Sequence, residues 1–334
     1  MVTGVDSGHG KVLLIAGYGG HSGYVFAIVY ELSRMGFKDS IILVPEGYEF
    51  LADKFKPHGR IRFQVLPRKP AEPLYSGLHR WVKAFLQSIN LVLNHRISIV
   101  FAGGSNFSLP PSIIAKTFRN SKVYTIEAIE HFITPSRAVK ILESVGGTVF
   151  LHWEEQLNIF PKGVVVGPVY EPPIYEVRDE GYVLVTTGTL GYKELFDIIE
   201  RLGFEKVVLQ SGDIDPQPYL RRNPSWIGFK YSSDIHRWIA NASLVITQQG
   251  LTASIARLAY RKPTVIVWNP RVTLGAKKQD VRIYAEKLET PLVEDVKIKT
   301  IRDAVENVKP LTKTYPNGSY EIANILINSL THHT

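Results

Sequence analysis

The sequence predicts an α/β protein in two halves, each built on a doubly wound parallel sheet. Three observations point there. Short, continuous apolar runs alternate with stretches of helical periodicity, the pattern of buried parallel strands joined by crossover helices. Both halves open with the same succession of strand, glycine-containing loop and helix. Near the middle of a 334-residue chain, Gly167-Pro168-Val169-Tyr170-Glu171-Pro172-Pro173 interrupts the pattern, and that length suits two domains of ordinary size.

The first half covers residues 1–168. Lys11–Ala16 (KVLLIA) is a buried strand, Gly17-Tyr18-Gly19-Gly20-His21 a glycine loop, and Ser22 to about Met35 a helix. Further apolar strands are expected at Ser40–Val44, Ile97–Ala102, Val123–Glu127, Thr148–Leu151 and Val164–Val166. Residues 169–181, with tandem prolines and mixed charge, read as a linker. The second half covers 182–314 and restarts with Tyr182–Thr186, the loop Thr187-Gly188-Thr189, and a helix from about Tyr192 to Leu202. Strands are expected near Lys206–Gln210, Trp226–Phe229, Leu244–Ile246 and Thr264–Val267. Helices are expected near Ser233–Asn241, Leu251–Tyr260 and Gln279–Leu288. A last amphipathic helix, Tyr320–Leu330, falls within the closing segment 315–334.

At 45% hydrophobic and 21% charged residues the chain can bury a core in each half, which excludes disordered and collagen-like classes. The most apolar stretch, Ile89 to Ala102, is broken by Asn94, His95 and Arg96 and falls short of the ~18–20 residues that span a bilayer. The first residues, MVTGVDSGHGK, lack the apolar core of a signal peptide, so a cytoplasmic product is expected. Zero Cys removes disulfides, thiolate metal sites and a cysteine nucleophile. No HExxH or spaced acidic cluster suggests a metal, and His332-His333 reads as a loose end.

The net charge of +8 is unevenly spread. Lys54, Lys56, Arg60, Arg62, Arg68, Lys69, Arg80 and Lys83 stand against Glu72 alone between positions 54 and 83. Leu74, Leu78, Trp81, Phe85 and Ile89 recur beside them at helical spacing. Two readings stand. The stripe packs a helix onto its sheet and the basic flank is solvated, or the segment lies on anionic lipid, with roughly 1 kcal/mol available per well-placed cation. No recognition motif for nucleic acid accompanies the charge.

In parallel sheets ligands lie beyond the carboxyl ends of the strands, and three loops fall there. Gly17–His21 offers backbone N–H groups where phosphate is favoured, and His21 is the side chain in that loop able to exchange a proton near neutrality. Thr186-Thr187-Gly188-Thr189 and Thr247-Gln248-Gln249-Gly250-Leu251-Thr252 are donor-rich turns in the second half. Each alone fits an ordinary strand-to-helix turn; together they suggest a ligand clamped between halves. Glu127, Glu130 and His131 end one strand; Glu127 is the stronger candidate for a base or acceptor ligand, with Glu130 at a solvated helix start.

These residues resemble a specific family. Gly19-Gly20-His21-Ser22-Gly23, Phe101-Ala102-Gly103-Gly104, Val123-Tyr124-Thr125-Ile126-Glu127 and Leu151-His152-Trp153 are similar to the anchoring subunit of the two-subunit UDP-GlcNAc transferase of asparagine-linked glycosylation. Val185-Thr186-Thr187-Gly188-Thr189, Val208-Leu209-Gln210-Ser211-Gly212, Phe229-Lys230-Tyr231-Ser232 and Ala242-Ser243-Leu244-Val245-Ile246 with Gly250 resemble its catalytic partner. The chain thus resembles a natural fusion of the two, and more distantly MurG.

The resemblance implies a GT-B architecture, two Rossmann-like domains facing a cleft, with the closing helix returning to the first domain. It implies inverting, metal-independent transfer, without a cofactor, from a UDP-sugar to a polyprenyl- or dolichyl-diphosphate-linked acceptor at a membrane's cytoplasmic face. Thr187, Gly188, Thr189, Phe229, Gln248, Gln249, Gly250, Thr252 and Gln279 would hold the donor. Gly19, Gly20, Gly104 and Asn106 would hold the acceptor, with His21 or Glu127 as the base. Arg60, Arg62, Arg68, Lys69, Arg80, Trp81 and Lys83 would face an anionic membrane in place of the family's anchor helix. Two departures stand out. Ala256 occupies the place of a ribose-binding Glu, and Lys278-Gln279 that of a His-Gln pair.

Overall fold

The computed structural model describes residues 11–68, 72, 77–272 and 276–331. In the N-terminal half these form β1 (Lys11–Ile15), α1 (Gly20–Arg34), β2 (Ser40–Pro45), β3 (Arg60–Gln64), α2 (Leu78–Asn94), β4 (Ile97–Ala102), α3 (Leu109–Arg119), β5 (Lys122–Ile126), α4 (Arg137–Ser144), β6 (Thr148–Leu151) and β7 (Val164–Val165). In the C-terminal half they form β8 (Val183–Thr186), α5 (Lys193–Leu202), β9 (Val207–Gln210), α6 (Gln217–Arg222), β10 (Ile227–Phe229), α7 (Ile235–Asn241), β11 (Leu244–Gln248) and α8 (Leu251–Ser254). β12 (Thr264–Val267), α9 (Lys278–Lys287), β13 (Leu292–Val293), α10 (Ile298–Glu306) and α11 (Ser319–Thr331) complete it.

Among the described residues β3-β2-β1-β4-β5-β6-β7 form one sheet and β10-β9-β8-β11-β12-β13 another. Every strand pairing among the described residues is parallel, for instance Leu14 beside Ile42 and Phe101, and Ile246 beside Val185 and Val265. The strand order reverses beside β1 in the first sheet and beside β8 in the second. Both switch points put a crevice at the carboxyl ends of the central strands. The fold is therefore α/β with two Rossmann-like domains. The central strands read as unbroken Val, Ile and Leu because helices cover both faces, and Val12, Leu13, Leu14 and Ile15 are all fully buried.

Two strands escape the sequence pattern. β3 alternates Arg60-Ile61-Arg62-Phe63 along a sheet edge, so only some of its side chains are apolar, and β13 has two residues. α2 carries a second surprise. Of the expected stripe, Trp81, Phe85 and Ile89 pack on the core under the sheet, which is the packing reading. Leu78 does not: it stands 73% exposed at the helix start, in a row with Val82, Leu86 and Leu93, exposed at 54%, 61% and 53%. Leu74 lies outside the described residues. No helix among the described residues is long and apolar enough to cross a membrane.

The halves are joined twice. Residues 166–182 pass between them without regular structure, and α11 comes back to pack on α1, with Tyr124 Oη and Ser329 Oγ 2.7 Å apart. The two crossings run side by side. Gly318 N donates to Pro168 O at 3.0 Å, Tyr170 Oη to Tyr315 O at 3.0 Å, and Asn317 Nδ2 to Tyr170 O at 2.7 Å.

Candidate functional site

The glycine loop after β1 and the turn after β11 meet across the crevice. Gly19 ends the loop at φ 65°, a left-handed conformation that glycine adopts without strain, and α1 starts at Gly20. A Cβ on Gly20 would lie 3.5 Å from Leu251 Cβ. One on Gly23 would overlap Leu251 Cδ2 and lie 2.6 Å from Glu171 Oε1. Small residues in the first turn of α1 thus let the start of α8 approach closely.

His21 sits in that seam. Its Nδ1 is 2.6 Å from Gly103 O, so Nδ1 carries the proton and donates it, leaving Nε2 as an acceptor. Among the described residues none hydrogen-bonds Nε2. Burial pushes the imidazole below its ordinary pKa, against the opposing Gly103 bond, so the ring is neutral at pH 7. Gly104, at φ 90°, brings its backbone beneath the ring; a Cβ there would lie 2.6 Å from Ile126 O and 3.6 Å from His21 Nδ1.

The two carboxylates after β5 exchange the parts expected of them. Glu127 is fully buried and its oxygens are occupied: Oε1 accepts from Ala128 N at 2.7 Å, from His131 Nδ1 at 2.9 Å and from the Ser136 hydroxyl, and Oε2 accepts from Ser136 N at 2.9 Å. Burial raises its pKa, but the His131 and Ser136 bonds outweigh that and hold it ionised. Burial likewise opposes a charged His131, and Glu127 overcomes it. Glu127 therefore shapes the loop 127–136 and is not free to take a substrate proton. Glu130 faces the crevice instead, with Oε1 3.9 Å from where a Gly250 Cβ would be, and burial holds its carboxyl above the ordinary range.

On the opposite wall, the Thr187 hydroxyl is buried and has no partner among the described residues. Gly188 is left-handed at φ 67°, and Thr189 Oγ1 hydrogen-bonds Tyr18 Oη across the crevice. Beside that bond Tyr18 meets Tyr48 edge-on with centroids 5.0 Å apart, and Phe50 meets Tyr231 at 5.2 Å, closing the mouth with aromatic rings from both lobes. Gly250 caps α8 at φ 127°, and Thr252 is half-buried in its first turn.

Several expected donor ligands lie elsewhere or are already engaged. Gln249 is buried and bonded twice to one backbone, Oε1 accepting from Asn269 N at 2.9 Å and Nε2 donating to Asn269 O at 3.1 Å. Gln248 Oε1 accepts from Asn269 Nδ2 at 2.8 Å, while its Nε2 faces Gly188, 3.0 Å from a Cβ there. Asn269, which sequence reasoning did not single out, thus fixes both glutamines. Phe229 packs on Trp238 at 5.4 Å. Ala256 is fully buried in the π-helical turn Ile255–Ala259 that continues α8, so no carboxylate reaches the crevice from there.

Gln279 is exposed on α9, and its neighbour Asp280 makes the contact. Asp280 is buried, and its Oδ1 accepts from Phe132 N at 2.8 Å, Ile133 N at 2.6 Å and Thr134 N at 3.3 Å, all in the N-terminal half. Its Oδ2 caps α9 through Lys277 N at 3.0 Å. The residue's position at the third place of a helix was a visible signal for the cap; its partner 147 positions away was not.

The basic segment also divides. Arg60 and Arg62 are exposed on the edge strand β3, and Lys83 reaches Glu46 at 3.3 Å on the surface. Trp81 turns to the core because its apolar row is the one that covers the sheet. Arg68 and Arg80 fold inward toward Glu72 and Asn106. Lys69 lies outside the described residues. Among the described residues no group of His, Asp and Glu could hold a metal ion.

No family model matches the chain. Among curated proteins it is 24% identical over 298 residues, 79% of each chain, to the UDP-N-acetylglucosamine--N-acetylmuramyl-(pentapeptide) pyrophosphoryl-undecaprenol N-acetylglucosamine transferase of Caldicellulosiruptor saccharolyticus. It is 21% identical over 280 residues to the enzyme of that name from Prochlorococcus marinus, covering 78% of this chain and 76% of the relative. Its fold is similar to Acinetobacter baumannii MurG, with a TM-score of 0.57, 16% identity, and coverage of 95% of this chain and 99% of that one. It is also similar to the calicheamicin glycosyltransferase CalG4, with a TM-score of 0.56, 15% identity, and 97% and 94% covered. The UDP-GlcNAc 2-epimerase of Methanocaldococcus jannaschii matches with a TM-score of 0.61, 13% identity, and 95% and 99% covered. The architecture is that of GT-B proteins.

Proposed function

We propose that this chain is an inverting glycosyltransferase that moves a sugar from a UDP-sugar, N-acetylglucosamine in the first instance, to a lipid-diphosphate-linked acceptor at the cytoplasmic face of a membrane. The observation that carries this reading is His21: a neutral imidazole at the carboxyl end of β1, with Nδ1 tied to Gly103 O and Nε2 without a partner among the described residues, next to Gly20, which faces Leu251 across the crevice. The two curated transferases that match most of the chain support the same chemistry.

In the proposed reaction the acceptor hydroxyl attacks the anomeric carbon in line. The new C–O bond forms as the bond to UDP breaks, and the hydroxyl proton goes to His21 Nε2. Charge growing on the departing diphosphate meets the hydroxyls of Thr187 and Thr189 and the N–H groups at Gly250–Thr252, fixed dipoles that act without a metal. Glu127 holds the 127–136 loop, and Asp280 docks the donor lobe onto it. Entry of the donor parts Tyr18 from Thr189.

The exposed row Leu78, Val82, Leu86 and Leu93 on α2, with Arg60, Arg62 and Lys83 nearby in sequence, would rest on anionic lipid. The matching order of motifs supports descent from a fusion like the two-subunit transferase. Thermal shift with a panel of nucleotide sugars tests the donor. A ligand at 100 times its Kd stabilises the fold by about 2.7 kcal/mol. UDP-GlcNAc that neither raises Tm nor yields UDP in the presence of a lipid-diphosphate sugar would sink the proposal.

A further inference from the structure

The inward-folded arginines form a constellation that the donor and base assignments leave unused. Gly77 caps α2 at φ 78°, and because it has no Cβ the Arg80 guanidinium folds back over it; a Cβ there would lie 2.6 Å from Arg80 Nε. Arg80 Nη2 pairs with the Glu72 carboxylate, and Arg68 Nη1 donates to the Glu72 backbone carbonyl at 2.7 Å. With the Asn106 amide turned so that its oxygen meets Arg68, that oxygen accepts from Nε at 3.2 Å and from Nη2 at 2.8 Å. The two guanidiniums thus meet at Glu72, Arg80 on its carboxylate and Arg68 on its backbone carbonyl, with the neutral Asn106 amide on the far side of Arg68.

Among the described residues donors outnumber acceptors there. Each guanidinium offers five N–H groups. Among the described residues Arg80 Nε is buried with no acceptor, and the buried hydroxyl of Ser105, next to Asn106, has no partner either. Buried unpaired donors of this kind cost free energy until an acceptor arrives. Ser105 packs directly on Gly17, and Gly104 packs under His21, so the cluster continues into the base without a gap. Leu78, the first exposed apolar residue of α2, follows Gly77 directly.

We propose that Arg68, Arg80 and Asn106 form a cradle for a diphosphate, the headgroup of the lipid-linked acceptor, with Glu72 holding the guanidiniums together until the anion takes its place. The inference rests on the proposed function for the source of the diphosphate. It places the anchor of the acceptor beside the base, and its lipid beside the exposed row on α2. Arg rather than Lys suits this task because its planar fork pairs phosphate oxygens two at a time.

Calorimetric titration of the full-length protein with inorganic diphosphate, farnesyl diphosphate and UDP tests it. Arg68→Gln and Arg80→Gln should each weaken farnesyl diphosphate at least tenfold. Glu72→Gln, which removes the competing carboxylate, should tighten it about threefold, opposite to the effect of breaking an ion pair that only pins a loop. Binding within twofold of the parent in all three folded variants overturns the cradle. Farnesyl diphosphate should bind at least tenfold tighter than inorganic diphosphate, and equal affinities overturn the lipid-linked source. UDP affinity should survive both arginine changes. A parent protein that binds farnesyl diphosphate through Arg80 but never UDP would sink the transferase reading while leaving the cradle standing.

Discussion

Asp280 Oδ1 accepts the backbone N–H of Ile133 at 2.6 Å, so a carboxylate at the start of a helix in one lobe holds the loop that carries Glu130 and His131 in the other. Burial raises the pKa of that carboxyl, but the N–H groups of Ile133, Phe132, Lys277 and Thr134 prevail and keep it ionised. Asp280→Asn keeps the shape and loses the charge. It should cost about 1.5–3 kcal/mol, the range for hydrogen bonds to a charged acceptor, and lower Tm by several degrees. An unchanged melting curve would mean that the loop holds itself.

His21→Ala should lower turnover by roughly 10²–10⁴-fold, the usual contribution of a general base, while UDP binds as before. Because burial lowers the imidazole pKa, the neutral base persists below pH 6.5. The kcat/KM profile should therefore rise with pH and reach its plateau at a midpoint under 6.5. A midpoint above 7 would assign the limb to another group.

Glu171 binds both lobes. Its Oε1 accepts from Lys54 Nζ at 2.8 Å, its Oε2 from His236 Nε2 at 2.9 Å, and His236 Nδ1 lies 2.9 Å from Tyr260 Oη. Burial alone would raise its pKa, but Lys54 and His236 bring it down to about 2. A carboxylate held lower in the folded than in the unfolded chain stabilises the fold above its ordinary value near 4.5, and that stability fades as pH falls toward 2. Melting temperature should therefore drop between pH 5 and pH 3, and Glu171→Gln should flatten the drop while lowering stability at pH 7 by about 3 kcal/mol. A drop of equal size in the variant would place the acid limb elsewhere.

Gly23→Ala inserts a methyl between Leu251 and Glu171. Overpacking of this kind costs about 1–3 kcal/mol, and adding Leu251→Ala should recover part of it. A double-mutant cycle with no coupling would show that the two helices already stand apart.

Much of the architecture could be read from residues alone, because a central parallel strand must be apolar on both faces, as KVLLI and TVIV are. β3 could not, since an edge strand is under no such demand and its arginines looked like part of a charged patch. Single positions in the crevice were legible where backbone conformation fixes them, as at Gly19 and His21. Gln249 looked like a ligand because its partner, the Asn269 backbone, lies one strand away. Asp280 and Glu130 were passed over because their roles depend on how one lobe faces the other, and no local pattern encodes that.

The paired crossings at Pro168–Tyr170 and Tyr315–Gly318 have a mechanical consequence. Two neighbouring attachments hinge a body where one would let it swivel. The lobes can part by turning about the line through both, like a book on its spine, whereas a shear or a twist would tear the Gly318–Pro168 and Asn317–Tyr170 bonds. Each turnover would then retrace one arc, returning Tyr18 to Thr189 in register.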